Sequence, residues 1–138
     1  MSVTNNVKPF EWPVRVYYED TDAQGVVYYA NYFRFLERAR AEWLRSLGIE
    51  QDGMLYEQRR MFVVSSITAD FLVPARFNEE LVVTAGLLSC GRASFEIEQN
   101  IYRTDLDGDH LCRSSMRAAF LNADTLKPTR LPDSLFKD

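Results

Sequence analysis

The sequence predicts an α+β fold in which a five-stranded antiparallel sheet curls around one long central helix. Three observations carry that prediction. Only one stretch, near Asn31 to Leu47, repeats its apolar residues at helical spacing. From Met61 onward the pattern changes to period two, in four segments joined by short turns. A fifth strand-like segment precedes the helix. Short turns make antiparallel neighbours. A sheet with one apolar face and a single amphipathic helix buries both apolar surfaces by wrapping one around the other.

In chain order, "PVRVYY" reads as a strand, with Val14, Val16 and Tyr18 on one side and Arg15 and Tyr17 on the other. A loop, "EDTDAQGVV", follows. In the helix, Tyr32, Phe35, Leu36, Ala39, Trp43 and Leu47 form the apolar stripe, while Arg34, Glu37, Arg38 and Arg45 lie mainly off it. Asn31 is a candidate N-cap, with a start one or two residues earlier also allowed, and Gly48 is a stop signal. "EQDGMLYEQRR" is polar and reads as irregular chain or a short helix. "MFVVSSITADFLV" and "LVVTAGLLS" are strands separated by the turn "PARFNEE". After the bend "CGRA", "SFEIEQNIY" is a strand with Phe95, Ile97 and Ile101 on one face and Ser94, Glu96, Glu98 and Asn100 on the other. "RTDLDGDH" is a hairpin turn whose Asp107-Gly108 pair suits positive φ. In "LCRSSMRAAFL", Cys112, Ser114, Met116, Ala118 and Phe120 share a small, mostly apolar face. The tail "NADTLKPTRLPDSLFKD" reads as irregular.

The 138 residues suit one domain spanning 1–138, and 46% hydrophobic residues suffice for a core. A net charge of -4 argues against a dedicated nucleic-acid binder, which needs a basic face for phosphates. No stretch is long and apolar enough to span a bilayer, and "MSVTNNVKPFEW" lacks the apolar run of a signal peptide. Cytoplasm is the expected location, and Cys90 and Cys112 fit it as free thiols. Two cysteines and a single histidine, His110, do not make a protein metal site of the usual nitrogen and sulfur kind, so no metal is expected. A one-helix, five-strand domain leaves sheet edges and an outer face open, which implies a homo-oligomer.

The stretch "YYEDTDAQGVVYYANY", Tyr17 to Tyr32, carries two acids, Asp20 and Asp22, just ahead of the helix. An Asp in a loop ordinarily shapes a turn by bonding nearby backbone N–H groups, and Gly25 supplies the backbone freedom. Yet "VVYYANYF" is too apolar to stay in water, so the loop must turn inward against the helix start. A helix N-terminus offers unpaired N–H groups and a partial positive charge. A carboxylate beside such an end has the parts of an acyl-transfer site: a nucleophile or general base, and donors for an oxyanion.

These residues closely resemble the opening of hotdog-fold acyl-CoA thioesterases of the 4-hydroxybenzoyl-CoA thioesterase family, and in particular its Tol–Pal-associated bacterial branch. The resemblance rests on D-x-D-x-x-G-x-V-Y/F-x-x-N-Y followed by E-R-A-R, and extends to "FVVSSITADFLVPARFNEELVV" and "LNADTLKPTRLP". It implies a hotdog fold and a hydrolase that cleaves acyl-CoA, with coenzyme A or an acyl carrier protein as the thiol carrier and no cofactor. By motif position, Asp22 is the catalytic carboxylate, and the Tyr29 backbone N–H polarises the thioester carbonyl. Gly25 permits the turn between them, Asn31 holds the helix start, and Arg92, at the bend before the fourth strand, is a coenzyme A phosphate contact. Tyr28 and Tyr32, with Phe35 and Met61, bear on pocket depth. The site is expected at the interface of a homodimer or homotetramer. The sequence departs from the pattern twice: Tyr29 stands where many members of that branch carry histidine, and Gln24 where glycine is usual.

Asp20 reads as structural, and Glu37 as a helix-surface ion-pair residue or a neighbour of the site. Arg103, Arg113, Arg117 and Lys127 are further phosphate candidates, and Ser65 and Ser66 candidate acyl-site residues. His110 and Cys112, two apart on a strand, would share a side. A nucleophile pair there lacks a third group. "DLDGDH" superficially resembles a calcium loop, but lacks the sixth-position glycine and the closing Glu. Two rival functions stand beside hydrolysis. A non-catalytic acyl-CoA or acyl-carrier-protein binding module gains little from Asp22. A hotdog enoyl-thioester hydratase would want a histidine in the site.

Overall fold

A computed structural model describes residues 9–133 and 135–136. The leader reading of the N-terminus falls largely on residues 1–8, and part of the tail reading on Ser134, Lys137 and Asp138. These lie outside the described residues. Five strands, β1 (Phe10–Arg15), β2 (Arg60–Phe71), β3 (Glu80–Cys90), β4 (Ser94–Arg103) and β5 (His110–Asn122), form one antiparallel sheet in the order β1-β3-β4-β5-β2. Helix α1 (Tyr29–Ser46) lies on its concave face, and a short helix α2 (Gln51–Tyr56) links it to β2. This is the expected architecture.

The helix buries Tyr32, Phe35, Leu36, Ala39, Trp43 and Leu44, which is the expected stripe except at its end. Leu47 is half exposed because it is the C-cap, already outside the helix, and Gly48 at φ +85° turns the chain away. The N-cap is Tyr28 rather than Asn31. The core falls into two apolar clusters along the helix. One surrounds Tyr32, Phe35 and Leu36, with Val16, Leu81, Ile101 and Cys112. The other surrounds Trp43 and Leu44, with Phe95, Ile97, Met116 and Phe120.

Three expectations fail for local reasons. The first strand begins earlier and ends at Arg15, and a 3-10 turn at Tyr18–Asp20 follows. Tyr18 is therefore exposed, although Val14 and Val16 are buried as expected. At the β4–β5 hairpin, Thr104 takes the positive φ, +72°, not the Asp107-Gly108 pair. Gly108 is needed there for space. A Cβ on it would lie 1.8 Å from the Arg103 carbonyl oxygen, which is impossible without moving backbone. Gly108→Ala is expected to destabilise by about 1–3 kcal/mol, as overpacking does. Chemical denaturation of the variant would read it. Finally, a bulge separates His110 from Cys112. Tyr102 pairs with His110 but Ile101 with Cys112, so Leu111 is extra. His110 therefore points away from α1 with Tyr102, on which it stacks at 4.8 Å, and its Nε2 lies 2.8 Å from Asn100 Oδ1. Cys112 points into the core, where burial pushes its thiol up to about 11. The two do not face each other.

Candidate active site

The loop between β1 and α1 is stitched at each step. The Tyr17 N–H donates to Asp20 Oδ2 at 2.8 Å, and Asn31 Nδ2 donates to Asp20 Oδ1 at 3.0 Å. Asp20 is buried, and its carbonyl takes the Tyr28 N–H. It thus ties the end of the strand to the first turn of α1, and Asn31 holds the helix start through this bond. Residues 22–25 form a β-turn, closed by the Gly25 N–H on the Asp22 carbonyl at 3.0 Å. Gly25 follows in the left-handed region at φ +82°, and the Asp22 N–H reaches the Val26 carbonyl at 2.9 Å. This is a tight turn with a glycine bulge, which explains both residues locally. The Val27 N–H then bonds the Ala75 carbonyl, which returns the chain to the body of the fold.

Asp22 is half-buried. Its Oδ1 accepts the Gln24 N–H at 2.9 Å, as a turn aspartate does. That bond engages one of its two oxygens. The Gln24 side chain, in the orientation that satisfies its amide, places its nitrogen 3.2 and 3.3 Å from Asp22 Oδ1 and Oδ2. The residue that departs from the family pattern therefore lies over the carboxylate. Among the described residues no cation is paired with Asp22. At the helix start, the Asn31 N–H is bonded to Tyr28, whereas the Tyr29 and Ala30 N–H groups have no acceptor among the described residues. Asp22 and Gly25 thus lie in the loop that Asp20 ties to Tyr28 and Asn31 at the N-terminal end of α1, where free donors and the helix dipole favour negative charge.

The other expected residues are placed differently. Tyr32 is a core residue, its hydroxyl taking the Ala75 N–H at 3.0 Å, so it stands behind this end of the helix and not on its surface. Arg92 lies at the β3–β4 turn, whose carbonyl accepts the Leu131 N–H beside the Trp43 cluster. That is the other half of α1, since Trp43 lies fourteen residues beyond Tyr29, about 21 Å along the axis. Within one chain Arg92 and Asp22 do not share a small ligand. Arg103 is held by Glu79, Asp109 and the Pro74 carbonyl, and Arg113 by Asp70. Arg117 and Lys127 are exposed. Ser65 occupies a bulge in β2 and donates to the Arg117 carbonyl. Among the described residues no group of three or more His, Cys, Asp or Glu could hold a metal ion.

Two adjoining hollows follow the seam between α1 and β2. One, of about 330 Å³, is lined by Phe33, Arg34, Glu37, Arg40, Val64 and Ile67. The next, of about 300 Å³, has walls that include Arg38, Arg40, Trp43, Phe62, Phe95 and Met116. Phe71 connects them to the helix start, its ring 6.0 Å from both Tyr29 and Phe33. Volumes near 300 Å³ are at the lower end for small-molecule sites. The sequence reading passed over Arg40 and its partner Gln99. The signal was available, because Gln99 falls on the same side of its strand as Phe95, Ile97 and Ile101.

Residues 16–137 match the model of the thioesterase-like superfamily. This chain belongs to that superfamily. An acyl-CoA thioesterase YbgC from Haemophilus influenzae is 40% identical over 123 residues, covering 89% of this chain and 88% of the relative. YbgC is the Tol–Pal-associated thioesterase, so the relationship agrees with the branch that the motif suggested. A probable thioesterase from Bartonella henselae has a solved structure with a TM-score of 0.84 and 31% identity, covering 91% of this chain and all of that one. The 4-hydroxybenzoyl-CoA thioesterase from Pseudomonas sp. strain CBS-3 superposes with a TM-score of 0.85 at 21% identity, covering 95% and 99%, which establishes the hotdog fold. This chain is a thioester hydrolase. No helix among its described residues is long and apolar enough to cross a membrane.

Proposed function

We propose that hydrolysis takes place at the N-terminal end of α1, with Asp22 as the reacting carboxylate and the Tyr29 N–H as the oxyanion donor. The observation that carries this reading is a carboxylate, unpaired with any cation among the described residues, in the loop that the Asp20 hydrogen bonds tie to a helix start with unpaired N–H groups. The thioester carbonyl oxygen rests against those N–H groups. Asp22 attacks the carbonyl carbon, or takes a proton from the water that does. The C–S bond breaks and the thiolate leaves with a proton; on the direct route water then cleaves the Asp22–acyl anhydride, and on either route the acyl group departs as a carboxylate. Rapid-quench detection of acylated Asp22 in a single turnover separates the two routes, because direct attack forms an Asp22–acyl anhydride and general-base catalysis forms no acyl-enzyme. Gly25 and Asn31 fix the geometry, and Tyr28 screens the mouth. A backbone donor makes Tyr29 a workable replacement for histidine. Coenzyme A is the carrier that the relatives' activity supports, with an acyl carrier protein as the larger alternative, and the cytoplasm suits the free thiols.

The active unit in this reading is a homodimer, which a homotetramer would double. β2 is an edge strand that leaves Val63, Val64 and Phe71 exposed, continued by Leu72 and Val73. A soluble protein does not leave such an edge open. Pairing β2 with β2 of a second copy about a two-fold axis runs the strands antiparallel. The Arg92 end of one copy then approaches the Asp22 end of the other, which reunites residues that one chain holds apart. Val64→Lys is expected to shift the protein from about twice its 16.0 kDa chain mass toward one chain in sedimentation, with loss of most turnover. A fully active monomer would sink the shared site.

A further inference from the structure

The concave face of the sheet is apolar except at one level. Gln99 on β4 and Ser114 on β5 are register partners there, 1% and 2% exposed. Gln99 Nε2 donates to the Leu36 carbonyl at 3.0 Å, and its Oε1 accepts Arg40 Nη1 at 3.2 Å. Ser114 Oγ is buried and has no partner among the described residues. This layer sits between the two apolar clusters. Arg40 is half-buried, and both hollows along the α1–β2 seam are lined by it. Burial lowers its guanidinium from the ordinary value while Glu37, one turn back, works the other way. An arginine stays cationic regardless. No carboxylate lies within ion-pair distance of Arg40 among the described residues.

A half-buried cation with one neutral partner is a poor way to hold a helix on a sheet. Apolar side chains of similar volume serve at least as well. The arrangement makes sense if an anion completes it. The wall of the inner hollow that bears charge is Glu37, Arg38 and Arg40, a net positive set. The rest of that wall is largely aromatic and aliphatic, suited to methylene groups. Arg40 is eleven residues beyond Tyr29, about 16 Å along the helix, and its side chain leans back toward the N-terminus. The distance left between carbonyl and guanidinium is on the order of 10 Å, a medium-length chain.

We propose that Arg40, held by Gln99, recognises the far end of the acyl group, and that the thioesterase accepts acyl-CoA whose chain ends in a second carboxylate. This rests on the reading that places the thioester at Tyr29. The guanidinium gives a carboxylate two parallel N–H donors, which a methyl end cannot use.

The test compares suberyl-CoA, octanoyl-CoA and 8-hydroxyoctanoyl-CoA, which have equal carbon counts, by release of free thiol. The wild type is expected to show a kcat/KM for suberyl-CoA at least tenfold above that for octanoyl-CoA, with the hydroxy compound between them. Arg40→Met is expected to lose at least tenfold on suberyl-CoA and to keep octanoyl-CoA within about threefold, while Arg40→Lys retains part of the preference. Equal use of suberyl- and octanoyl-CoA by the wild type, a preference for the hydroxy compound, or equal losses on both substrates in Arg40→Met would each overturn the proposal. Thermal shift with free suberate reads the pocket without turnover. The midpoint should rise in the wild type and in Asp22→Asn but not in Arg40→Met. A wild type that binds suberate through Arg40 yet hydrolyses none of the thioesters would sink the placement of the reaction and leave Arg40's role standing. Absence of that shift in the wild type would sink Arg40's role alone.

Discussion

Asp22→Asn is expected to fold as the wild type does and to hydrolyse a short acyl-CoA at least about a hundredfold more slowly. The turn survives because an asparagine Oδ1 can still accept the Gln24 N–H that Asp22 Oδ1 accepts now, at 2.9 Å. Asparagine is also well suited to turns. What disappears is the negative oxygen that could attack carbon or take a proton from water. The donors at Tyr29 and Ala30 remain, so residual binding of substrate is expected, with the loss falling on kcat more than on KM. Circular dichroism and thermal melting establish the fold, and release of free thiol gives the rate. A folded Asp22→Asn with wild-type turnover would remove Asp22 from the mechanism. Asp20→Asn is the control. It keeps the acceptor oxygen toward Asn31 or Tyr17, and should retain much more of the activity.

Asp20→Ala is expected to cost about 3 kcal/mol, which lowers the midpoint of thermal unfolding by about 10 °C for a chain of this size. Two charge-assisted hydrogen bonds are lost together, from the Tyr17 N–H at 2.8 Å and from Asn31 Nδ2 at 3.0 Å. Each is individually worth about 1.5–3 kcal/mol, and both donors would be left in a partly buried place with nothing to bond. The backbone bond from the Tyr28 N–H to the residue 20 carbonyl persists, which limits the damage to the side-chain share. Asn31→Ala should reproduce roughly half of the loss, and the double variant should fall short of the sum, because the two residues share one bond. Additive losses in that cycle would show that they act independently.

Much of the fold was legible because periodicity survives without neighbours. The stripe Tyr32-Phe35-Leu36-Ala39-Trp43 could only be a helix face, and the alternations around Phe95 and Met116 could only be half-buried strands. The errors came where a register or a cap is set by something remote. Tyr18 left its strand because Asp20 closes a 3-10 turn onto Tyr17. Leu111 became a bulge residue because the β4–β5 pairing slips there, and that slip turned His110 away from Cys112. Gly108 carries a requirement for space, not for positive φ, and only the position of the Arg103 carbonyl reveals it.

The sequence by itself determined the architecture, the superfamily and the cluster at the helix start, since Asp20 through Asn31 are close in the chain and local turn and capping geometry brings them together. The tertiary structure decided what is distant. It set Arg92 by the other half of α1 from Asp22, buried Tyr32 behind the Ala75 N–H, left β2 as an apolar edge, and joined Arg40 to Gln99 across 59 residues of chain. Hydrophobic period records which side of an element faces the core. It does not record which polar groups meet there, and that depends on how helix and sheet dock.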